Sequence, residues 1–476
     1  MQRRDFVKLG VFASAALPLR AQTSGEMPAN APAGVDNLTE EDTQSGGYYL
    51  DSIHGADSNS GTKTAPWKTL KNLDGHTFKP GDTIHFARGS TFKGGFRISS
   101  SGTERKPITI AAYGVGPAPH FTNSNWSVLN GNAIQVDGSW IIIDGLYFSD
   151  GAAGPPAISN SHKAGAIYLT VNATHNIVRN CDISRWPFPI HVYGQHNLIT
   201  HNYIHDLMSL PAEGWWAVGV VICNSNNRAC YNRIVNCRQV SQAYNFDGGA
   251  FELDDRDFPK DNITIDHNIS RNNQGFLEIV EGSASVKNLI IAYNVSDDYQ
   301  QFLRLSSTEI WNARVENNTV VFTKASVLIP AVFDLSWFGS LGWSNPGGKA
   351  LEHIAYIGGA QGSREASSIL TYRNNIFVLG GNLMLSPYCD FPHDHNIYYR
   401  PHDHPIRAWA ILGANAALGA GDKIADPKFV NMEQGDFHLQ PDSPAIDMGV
   451  NVGFKRDVEE KPVSDTSPDA GAYEHQ

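Results

Sequence analysis

The sequence predicts an all-β solenoid of short parallel strands, and three observations support this fold class. A six-residue pattern recurs every 26 residues, an asparagine recurs in tight turns between apolar strands, and the composition is rich in glycine and low in charge. A period in the twenties with one strand pattern per repeat is typical of a solenoid, in which each coil covers the apolar face of its neighbour. With 476 residues the chain exceeds the usual size of a single core, but a solenoid grows along one axis and escapes that limit.

The clearest copies of the strand pattern lie between residues 249 and 306. Because neighbouring side chains of a strand point to opposite faces, one face of these copies is apolar and the other carries Glu252, Glu278 and Arg304. Stacked strands lie about 4.8 Å apart, so two carboxylates and a guanidinium are expected in one row. The copies read GAFELD at 249–254, GFLEIV at 275–280 and QFLRLS at 301–306.

The recurring asparagine is predicted to form a structural ladder along the solenoid. Asparagine tolerates the left-handed backbone conformation, and its amide can bond to the copy in the next coil. The repeated turns also set the phase of each coil. The predicted ladder members are Asn180, Asn202, Asn232, Asn268, Asn294, Asn318 and Asn375.

The two ends of the chain differ from the repeats. Residues 1–22 combine paired arginines with an apolar stretch and are predicted to be a twin-arginine-type signal peptide, so the protein is expected to be exported to the periplasm or secreted. Residues 23–45 are predicted to be a disordered linker. Residues 46–420 are predicted to form the β-helix catalytic domain and residues 421–476 a segment that closes the last coil, because an open coil end invites aggregation.

Charge and cysteine usage exclude several function classes. The net charge of −12 disfavours binding to nucleic acid or to an anionic membrane, and no later stretch is apolar for long enough to span a bilayer. The five cysteines lack the Cys-x-x-Cys spacing of a zinc site. They are interpreted as buried thiols with at most one disulfide.

The start of the ordered chain resembles secreted right-handed parallel β-helix proteins of the pectate-lyase-like superfamily. The resemblance rests on the segment at 48–62, on PWKTL at 66–70, on the Pro-Gly-Asp turn at 80–82 and on the C-terminal DPKFVN at 426–431. It implies a right-handed single-stranded parallel β-helix with an N-terminal starting module and a C-terminal capping segment. It also implies a carbohydrate-active protein, for which we expect a monomer acting on a poly- or oligosaccharide.

The resemblance further implies where the substrate binds. In this class the asparagine turn joins the second and third strands of a coil, and the outward face of the first strand forms the substrate cleft. Counted from the asparagine turns, the 249–306 copies are first strands, so their charged row falls in the cleft. The same count places His191 and Ile222 in the row before Glu252, and Asp334 after Arg304.

Glycoside hydrolysis is the favoured function. Exposed carboxylates on adjacent strands repel one another and destabilise the fold, so their presence in one row suggests a functional role. Hydrolysis needs one carboxyl group that protonates the leaving oxygen and a second that acts as nucleophile or activates water. The catalytic candidates are Glu252, Asp254 and Glu278, with Arg304 holding a carboxylate ionised or gripping the substrate. No cofactor is expected. The predicted substrate-binding residues are Asp247, Asp255, His205, Trp215, Trp216, Tyr244 and Trp337.

Other interpretations stay open. In a polysaccharide lyase the same carboxylates would bind Ca²⁺, and a basic residue would remove the C5 proton of a uronate; the candidates are Arg304, Lys163, Arg256 and Lys260. A non-catalytic carbohydrate-binding protein would use the aromatic residues alone.

Two further interpretations concern the acidic row and a histidine cluster. The acidic row would be a solvated surface without a catalytic role if Arg256 and Arg304 balance its negative charge. A general base is also conceivable at the cluster of His201, His205 and Asp206, because a histidine beside an aspartate can accept a proton.

Overall fold

The computed structural model describes residues 46–152, 164–208, 217–241, 245–280, 284–299, 302–305, 310–323, 333–334, 368–379, 391–401 and 417–476. These residues belong to one compact unit, Gly34–Gln476. The chain winds in coils whose strands form three long sheets, and neighbouring strands within each long sheet are parallel. The predicted parallel β-helix is therefore confirmed.

The sheet that carries the charged row is called the site sheet below. It has nine strands, and the row lies near its C-terminal end. The strands are Phe96–Ile98, Ile134–Val136, Ile167–Leu169, Ile190–Val192, Val218–Ile222, Gly249–Leu253, Leu277–Ile279, Leu303–Leu305 and Phe333–Asp334.

The second and third sheets have twelve strands each. The second sheet contains Gly47–Leu50, Thr83–Ala87, Ile108–Tyr113, Ile141–Asp144, Ile177–Arg179, Leu198–Thr200, Arg228–Cys230, Thr264–Asp266, Ile290–Ala292, Ala313–Glu316, Leu370–Arg373 and His393–Asp394. The third sheet contains Thr91–Lys93, His120–Thr122, Tyr147–Phe148, Asp182–Ser184, Tyr203–His205, Arg233–Val235, Ile269–Arg271, Val295–Asp297, Thr319–Phe322, Ile376–Leu379, Ile397–Tyr399 and Lys423–Ile424.

Short strand pairs and 3-10 helices lie outside the three long sheets. Three two-stranded pairs and three short 3-10 helices are present among the described residues. The pairs are Gln239–Ser241 with Asn245–Asp247, Val286–Lys287 with Ile310–Trp311, and Phe429–Asn431 with Asp436–Leu439; the 3-10 helices are Leu70–Leu73, Leu129–Gly131 and Met432–Gln434.

The core runs inside the three sheets, because every second side chain of a strand points inward. In the site sheet the inward pairs Phe251 with Leu253, Leu277 with Ile279 and Leu303 with Leu305 are all at most 1% exposed. Each coil thus buries apolar side chains against the coils on either side. This alternation fixes which residues can face solvent, because a slip by one residue would invert the faces.

The asparagine ladder is present from Asn202 onward. Each ladder side chain accepts hydrogen bonds from the backbone N–H and the side-chain amide of the asparagine one coil earlier, at 2.8 to 3.1 Å. The ladder continues beyond the predicted members to Asn396 and ends at the carboxylate of Asp422. Because all its described members before Asp422 are buried, the ladder satisfies polar groups that water cannot reach.

Two details of the predicted ladder are wrong. Asn180 lies one residue outside it, because the backbone N–H of Cys181 occupies the ladder position and donates to Asn202. The left-handed conformation belongs to the residue before each ladder asparagine, such as Tyr231 (φ 54°) or His267 (φ 57°), and not to the ladder asparagine itself. Rings at these preceding positions stack on one another along the turn.

The C-terminal segment packs against the outer surface of the β-helix. Its apolar side chains, including Phe437, Leu439 and Tyr473, cover outward side chains of the third sheet such as Val321 and Val378. The backbone of this segment also bonds to the turns, since the N–H of Gly471 donates to the carbonyl of Asn374. The segment thus protects the apolar outer face of the third sheet, while its first residues, Asp422 and Lys423–Ile424, extend the last described coil.

This packing is expected to make stability depend on pH. Burial and the charge of Asp469 raise the pKa of Glu474 to about 8, so the folded protein holds this proton more tightly than the unfolded chain does. Stability should therefore fall as the pH rises from the ordinary glutamate range to about 8. In Glu474→Gln the thermal unfolding midpoint should fall less steeply over this range, whereas the exposed Glu433→Gln should behave like the wild type. An unchanged slope in Glu474→Gln would contradict this assignment.

The cysteines agree with the predicted buried thiols. Cys181, Cys223, Cys230 and Cys237 are buried and free, and Cys389 lies outside the described residues. No disulfide joins the four described cysteines.

Candidate active site

The register of the site sheet places the charged residues in one row. Glu252 pairs with Glu278, and Glu278 pairs with Arg304, each on the neighbouring strand. Because the residues on either side of each point into the core, all three side chains lie on the outer face of the sheet. In backbone register, Asp334 follows Arg304. The predicted row is thus present over these four positions.

The row before Glu252 differs from the prediction at one position. His191 pairs with Val221, and Val221 pairs with Glu252, so Val221 and not Ile222 occupies the outward position. Ile222 instead pairs with Leu253 and belongs to the main core. The strand Val218–Ile222 is apolar almost throughout, so its alternation could not reveal the register.

An apolar cluster covers the outer face of the sheet before Glu252. Tyr168, His191 and Val221 occupy the row at 7%, 1% and 0% exposure, and Phe188 and Tyr193 pack beside them. Over these three coils the outer face is therefore closed. The partly exposed charged row begins at Glu252, which sets one end of the candidate cleft.

Glu252 is an acid with a strongly raised pKa. Partial burial raises its pKa well above the usual range, and the negative charges of Asp254, Glu278 and Asp247 raise it further, while Arg304 acts in the opposite direction. Two neighbouring acids cannot both ionise without an energetic cost, because their negative charges repel. The surroundings of Glu252 therefore favour its protonated form.

Glu278 is in a different environment, although it is the next residue of the row. Its Oε1 lies 3.1 Å from Nη1 of Arg304, and both side chains are partly exposed. An adjacent guanidinium favours the ionised form of a carboxyl group. The row thus combines a carboxyl group whose protonated form is favoured with a neighbouring carboxyl group whose ionised form a cation stabilises.

Asp254 and Asp255 form the turn that follows the strand of Glu252. Asp254 lies two residues from Glu252 and is partly exposed, and its Oδ1 accepts the backbone N–H of Asp255 at 2.5 Å. Asp255 has a left-handed backbone with φ 85°, and its carboxylate bonds to the Tyr193 side chain. Asp254 therefore adds charge at the cleft, while the Asp255 side chain is engaged with the apolar cluster.

Asp247 reaches the site through a hairpin. The strand Asn245–Asp247 pairs antiparallel with Gln239–Ser241, and the base of the hairpin is fixed by Arg238. The Arg238 guanidinium lies 3.4 Å from the ring centroid of Phe246 and 4.3 Å from that of Tyr299, in cation–π contacts. The sequence gives no periodic signal for this contact, because its members come from three separate segments.

The predicted histidine cluster is formed only in part, since His205 contacts Asp206 while His201 has a different partner, and His205 is not part of the site sheet. His205 lies on the third sheet, where its ring nitrogens contact Asp206 at 2.7 Å and Asp182 at 3.1 Å. His201 lies in the turn before that strand and contacts Glu460 at 3.1 Å. Because the carboxylates raise the pKa of His205, this histidine favours its charged form in an ion-pair network.

The basic residues considered for a lyase lie in different environments. Lys260 is fully buried, and burial lowers its pKa, while Arg256 is exposed. Lys163 lies outside the described residues, as do the aromatic residues expected to bind sugar, namely Trp215, Trp216, Tyr244 and Trp337.

Among the described residues, no group of three or more His, Cys, Asp or Glu side chains is arranged to hold a metal ion. Nor does that part of the chain contain a helix with the length and apolar character to cross a membrane.

Comparison with known proteins gives a family match. The family model described as chondroitinase B matches residues 69–308, about half of the chain. Lacto-N-biosidase of Bifidobacterium longum subsp. longum is 36% identical over 112 residues, which are 22% of this chain and 7% of that protein. The match thus spans only a small part of the length of this relative.

Solved structures share the architecture. Pectate lyase Pel9A has a TM-score of 0.55 at 16% identity, with 90% of this chain and 96% of that chain covered. XylC in complex with xylose has a TM-score of 0.54 at 11% identity, with 90% and 98% covered. A rhamnogalacturonan lyase has a TM-score of 0.50 at 13% identity, with 83% and 95% covered. At these identities the likeness shows the fold alone.

Proposed function

Because the chain belongs to the chondroitinase B family, whose β-helix architecture is that of carbohydrate-active enzymes, we propose that it cleaves glycosidic bonds by hydrolysis. The observation that carries this proposal is the pairing of Glu252 with Glu278 on adjacent strands, in environments that favour opposite protonation states. A glycoside hydrolase needs such a pair, with one carboxyl group protonated and one ionised.

Glu252 is assigned the role of general acid. Its pKa is raised by partial burial and by three acidic neighbours, so its protonated form is favoured, as the role of a general acid requires. As the glycosidic bond breaks, this proton moves to the departing oxygen. The same carboxylate then takes a proton from the attacking water in the second half of a retaining reaction.

Glu278 is assigned the role of nucleophile. The Arg304 guanidinium at 3.1 Å favours its ionised form, and its strand lies directly beside that of Glu252. Adjacent strands are about 4.8 Å apart, close to the separation of about 5–5.5 Å between the carboxyl groups of retaining enzymes. Asp254 is the alternative to Glu252 as the partner of Glu278. Asp254 and Glu278 would form a diagonal pair, whose carboxyl groups lie farther apart, toward the separation of inverting enzymes.

The charge of the site favours a neutral glycan. Asp247, Asp254 and Glu278 all act on Glu252 as negative charges, and Arg304 is the cation that opposes them. A polyuronate would meet this negative field and needs more positive subsites. The local identity to lacto-N-biosidase, a glycosidase by name, supports the same reaction class.

A polysaccharide lyase is the second candidate, and the family model favours it because a chondroitinase acts by name on chondroitin, a polymer that contains uronate. In this reading the acidic row would bind Ca²⁺, which prefers oxygen ligands, and neutralise a uronate while a base removes its C5 proton. Lys260 has the lowered pKa of a base. However, its side chain is 0% exposed, so a substrate could reach it only if the turn that covers it moved.

Product analysis on purified protein separates the two candidates. The substrates are a panel of neutral and uronate-bearing glycans, followed by reducing ends and by the ultraviolet absorbance of unsaturated uronates, with and without a calcium chelator. The hydrolase proposal expects reducing ends without new absorbance, insensitivity to the chelator and loss of activity in Glu278→Gln. Absorbance that rises with cleavage would replace it by the lyase. Binding without cleavage, retained in Glu278→Gln, would indicate a non-catalytic carbohydrate-binding protein.

The remaining properties are proposed from the sequence. Residues 1–22 would direct export through the twin-arginine route, and the exported protein would act as a monomer without a cofactor. Replacing the paired arginines Arg3 and Arg4 by lysine should leave the precursor in the cytoplasm, which cell fractionation would show. An exported variant would contradict the twin-arginine assignment.

A further inference from the structure

A buried lysine lies behind the acidic turn of the candidate site. Lys260 is 0% exposed, although lysine is almost never fully buried without partners. Its ammonium group donates to the backbone carbonyl of Phe258 at 2.8 Å and to that of Asp255. The titratable groups that face it are the Cys223 thiol and the carboxyl groups of Asp254, Asp255 and Asp257. The lysine therefore binds the inside of the turn that follows the strand of Glu252.

The backbone around the lysine is itself fixed to the helix. The N–H of Lys260 donates to the carbonyl of Ser285 at 2.8 Å. The Ser225 hydroxyl donates to the carbonyl of Pro259 at 2.8 Å and accepts the N–H of Asp261 at 3.0 Å. From this anchored position the side chain reaches back to residues 255–258. The lysine thus joins a fixed part of the coil to the turn at the cleft.

A second contact holds the same turn from the apolar cluster. The Tyr193 hydroxyl bonds to the side chains of Asp255 and Cys223. The Cys223 sulfur lies 3.3 Å from Nε2 of His191, whose Nδ1 donates to the carbonyl of Ala164 at 2.9 Å. This chain of polar contacts runs through the otherwise apolar cluster and ends at Asp255.

The turn needs such support because its conformation is unfavourable by itself. Asp255 has φ 85°, a left-handed conformation that is unfavourable for a residue other than glycine. Its N–H donates to the carboxylate of Asp254, and the N–H of Asp257 donates to the carboxylate of Asp255 at 2.6 Å. Carboxylates so close together also repel one another. A buried cation at the centre offsets this repulsion.

We propose that Lys260 is a positioning residue, which holds the Asp254–Asp255 turn so that the carboxylate of Asp254 stays beside Glu252 at the cleft. The proposal rests on the function proposed above for its effect on catalysis. It differs from a role as the base of a lyase, because the lysine acts here through the turn and does not touch the substrate. It also explains why a lysine is buried at a position where methionine could fill the same space.

The test compares Lys260→Met, which removes the ammonium group but keeps the length, with Tyr193→Phe, which removes one hydroxyl. The exposed Lys287→Met is the matched control. We expect Lys260→Met to lower kcat about 10- to 100-fold with a smaller change in KM, since a displacement of 1 Å can cost about 100-fold. The basic limb of the pH profile should move to lower pH, because Asp254 no longer stays beside Glu252 and its charge then raises the pKa of that acid less. Tyr193→Phe should change the same quantities less, and Lys287→Met should change none.

Hydrogen exchange measured by mass spectrometry tests the turn without reference to activity. In Lys260→Met and Tyr193→Phe the amides of Asp255 and Asp257 should exchange faster, while those of Leu277–Ile279 should keep the wild-type rate. Unchanged exchange in both variants would overturn the proposal, as would wild-type kcat in a Lys260→Met protein whose turn exchanges faster. Complete loss of turnover in Lys260→Met with unchanged exchange would mean direct action on the substrate, which also overturns it.

The two proposals can fail separately. A wild-type protein that cleaves no glycan would refute the proposed function, and the exchange rates alone would then decide whether Lys260 holds the turn. If Lys260→Met does not fold, Tyr193→Phe decides, because loss of one hydroxyl leaves the apolar packing in place.

Discussion

Replacement of Glu252 by glutamine is expected to lower kcat by about 10²- to 10⁴-fold, the usual contribution of a general acid. Glutamine has the shape of the protonated glutamate but cannot give up a proton to a leaving oxygen. KM should change little, because the amide keeps the hydrogen-bonding capacity of the acid. Initial rates on a cleaved glycan, measured across pH, should also lose the basic limb that reports ionisation of the acid.

A matched control is the exposed Asp257 in the neighbouring turn. Asp257→Asn also removes one negative charge near the site, but not from the outward row, so kcat should stay within about twofold of the wild type. A Glu252→Gln protein that is folded and retains wild-type kcat would refute the role of Glu252. Equal losses in the two variants would instead indicate a general effect of charge.

Replacement of Asn268 by alanine is expected to cost about 3 kcal/mol or more in stability. The side chain is fully buried, donates to the carbonyls of Ala229 and Asp266 and to Asn294, and accepts two bonds from Asn232. Each buried polar group left without a partner costs about 1–3 kcal/mol. Chemical unfolding followed by circular dichroism should show a lower midpoint.

The control for the ladder is Asn180→Gly. Asn180 lies outside the ladder with φ 54°, a conformation that glycine adopts freely. Among its described hydrogen bonds, its amide contacts only the partly exposed carboxylate of Asp144. We expect a change within about 0.5 kcal/mol. If Asn180→Gly destabilised the protein as much as Asn268→Ala does, the ladder would have the membership expected from the sequence and not the one described here.

Strong repeats made the central part of the site predictable. The strands that carry Glu252, Glu278 and Arg304 are copies without a gap, so one alignment fixed their common face. By contrast, the strand containing Val221 is apolar on both faces, because the outer apolar cluster covers it. Alternation carries no information in such a strand, and the expected outward residue, Ile222, was wrong by one position.

Contacts between distant segments could not be predicted from local patterns. Burial of Lys260 depends on Ser225 and Ser285, which belong to neighbouring coils. The separation of His205 from the acidic row depends on which sheet its strand joins. Likewise, the Arg238 stack requires Phe246 and Tyr299 to meet. These features follow from the way the coils superpose, which a sequence pattern does not encode.

Cleavage in water enriched in heavy oxygen tests the central claim most directly. The products would be reduced with borohydride at once, to stop exchange of the new anomeric oxygen, and analysed by mass spectrometry. Hydrolysis through Glu252 and Glu278 predicts one heavy oxygen at each new reducing end and product masses that sum to substrate plus water. Products whose masses sum to the substrate alone, with no heavy oxygen, would mean elimination and would contradict the account.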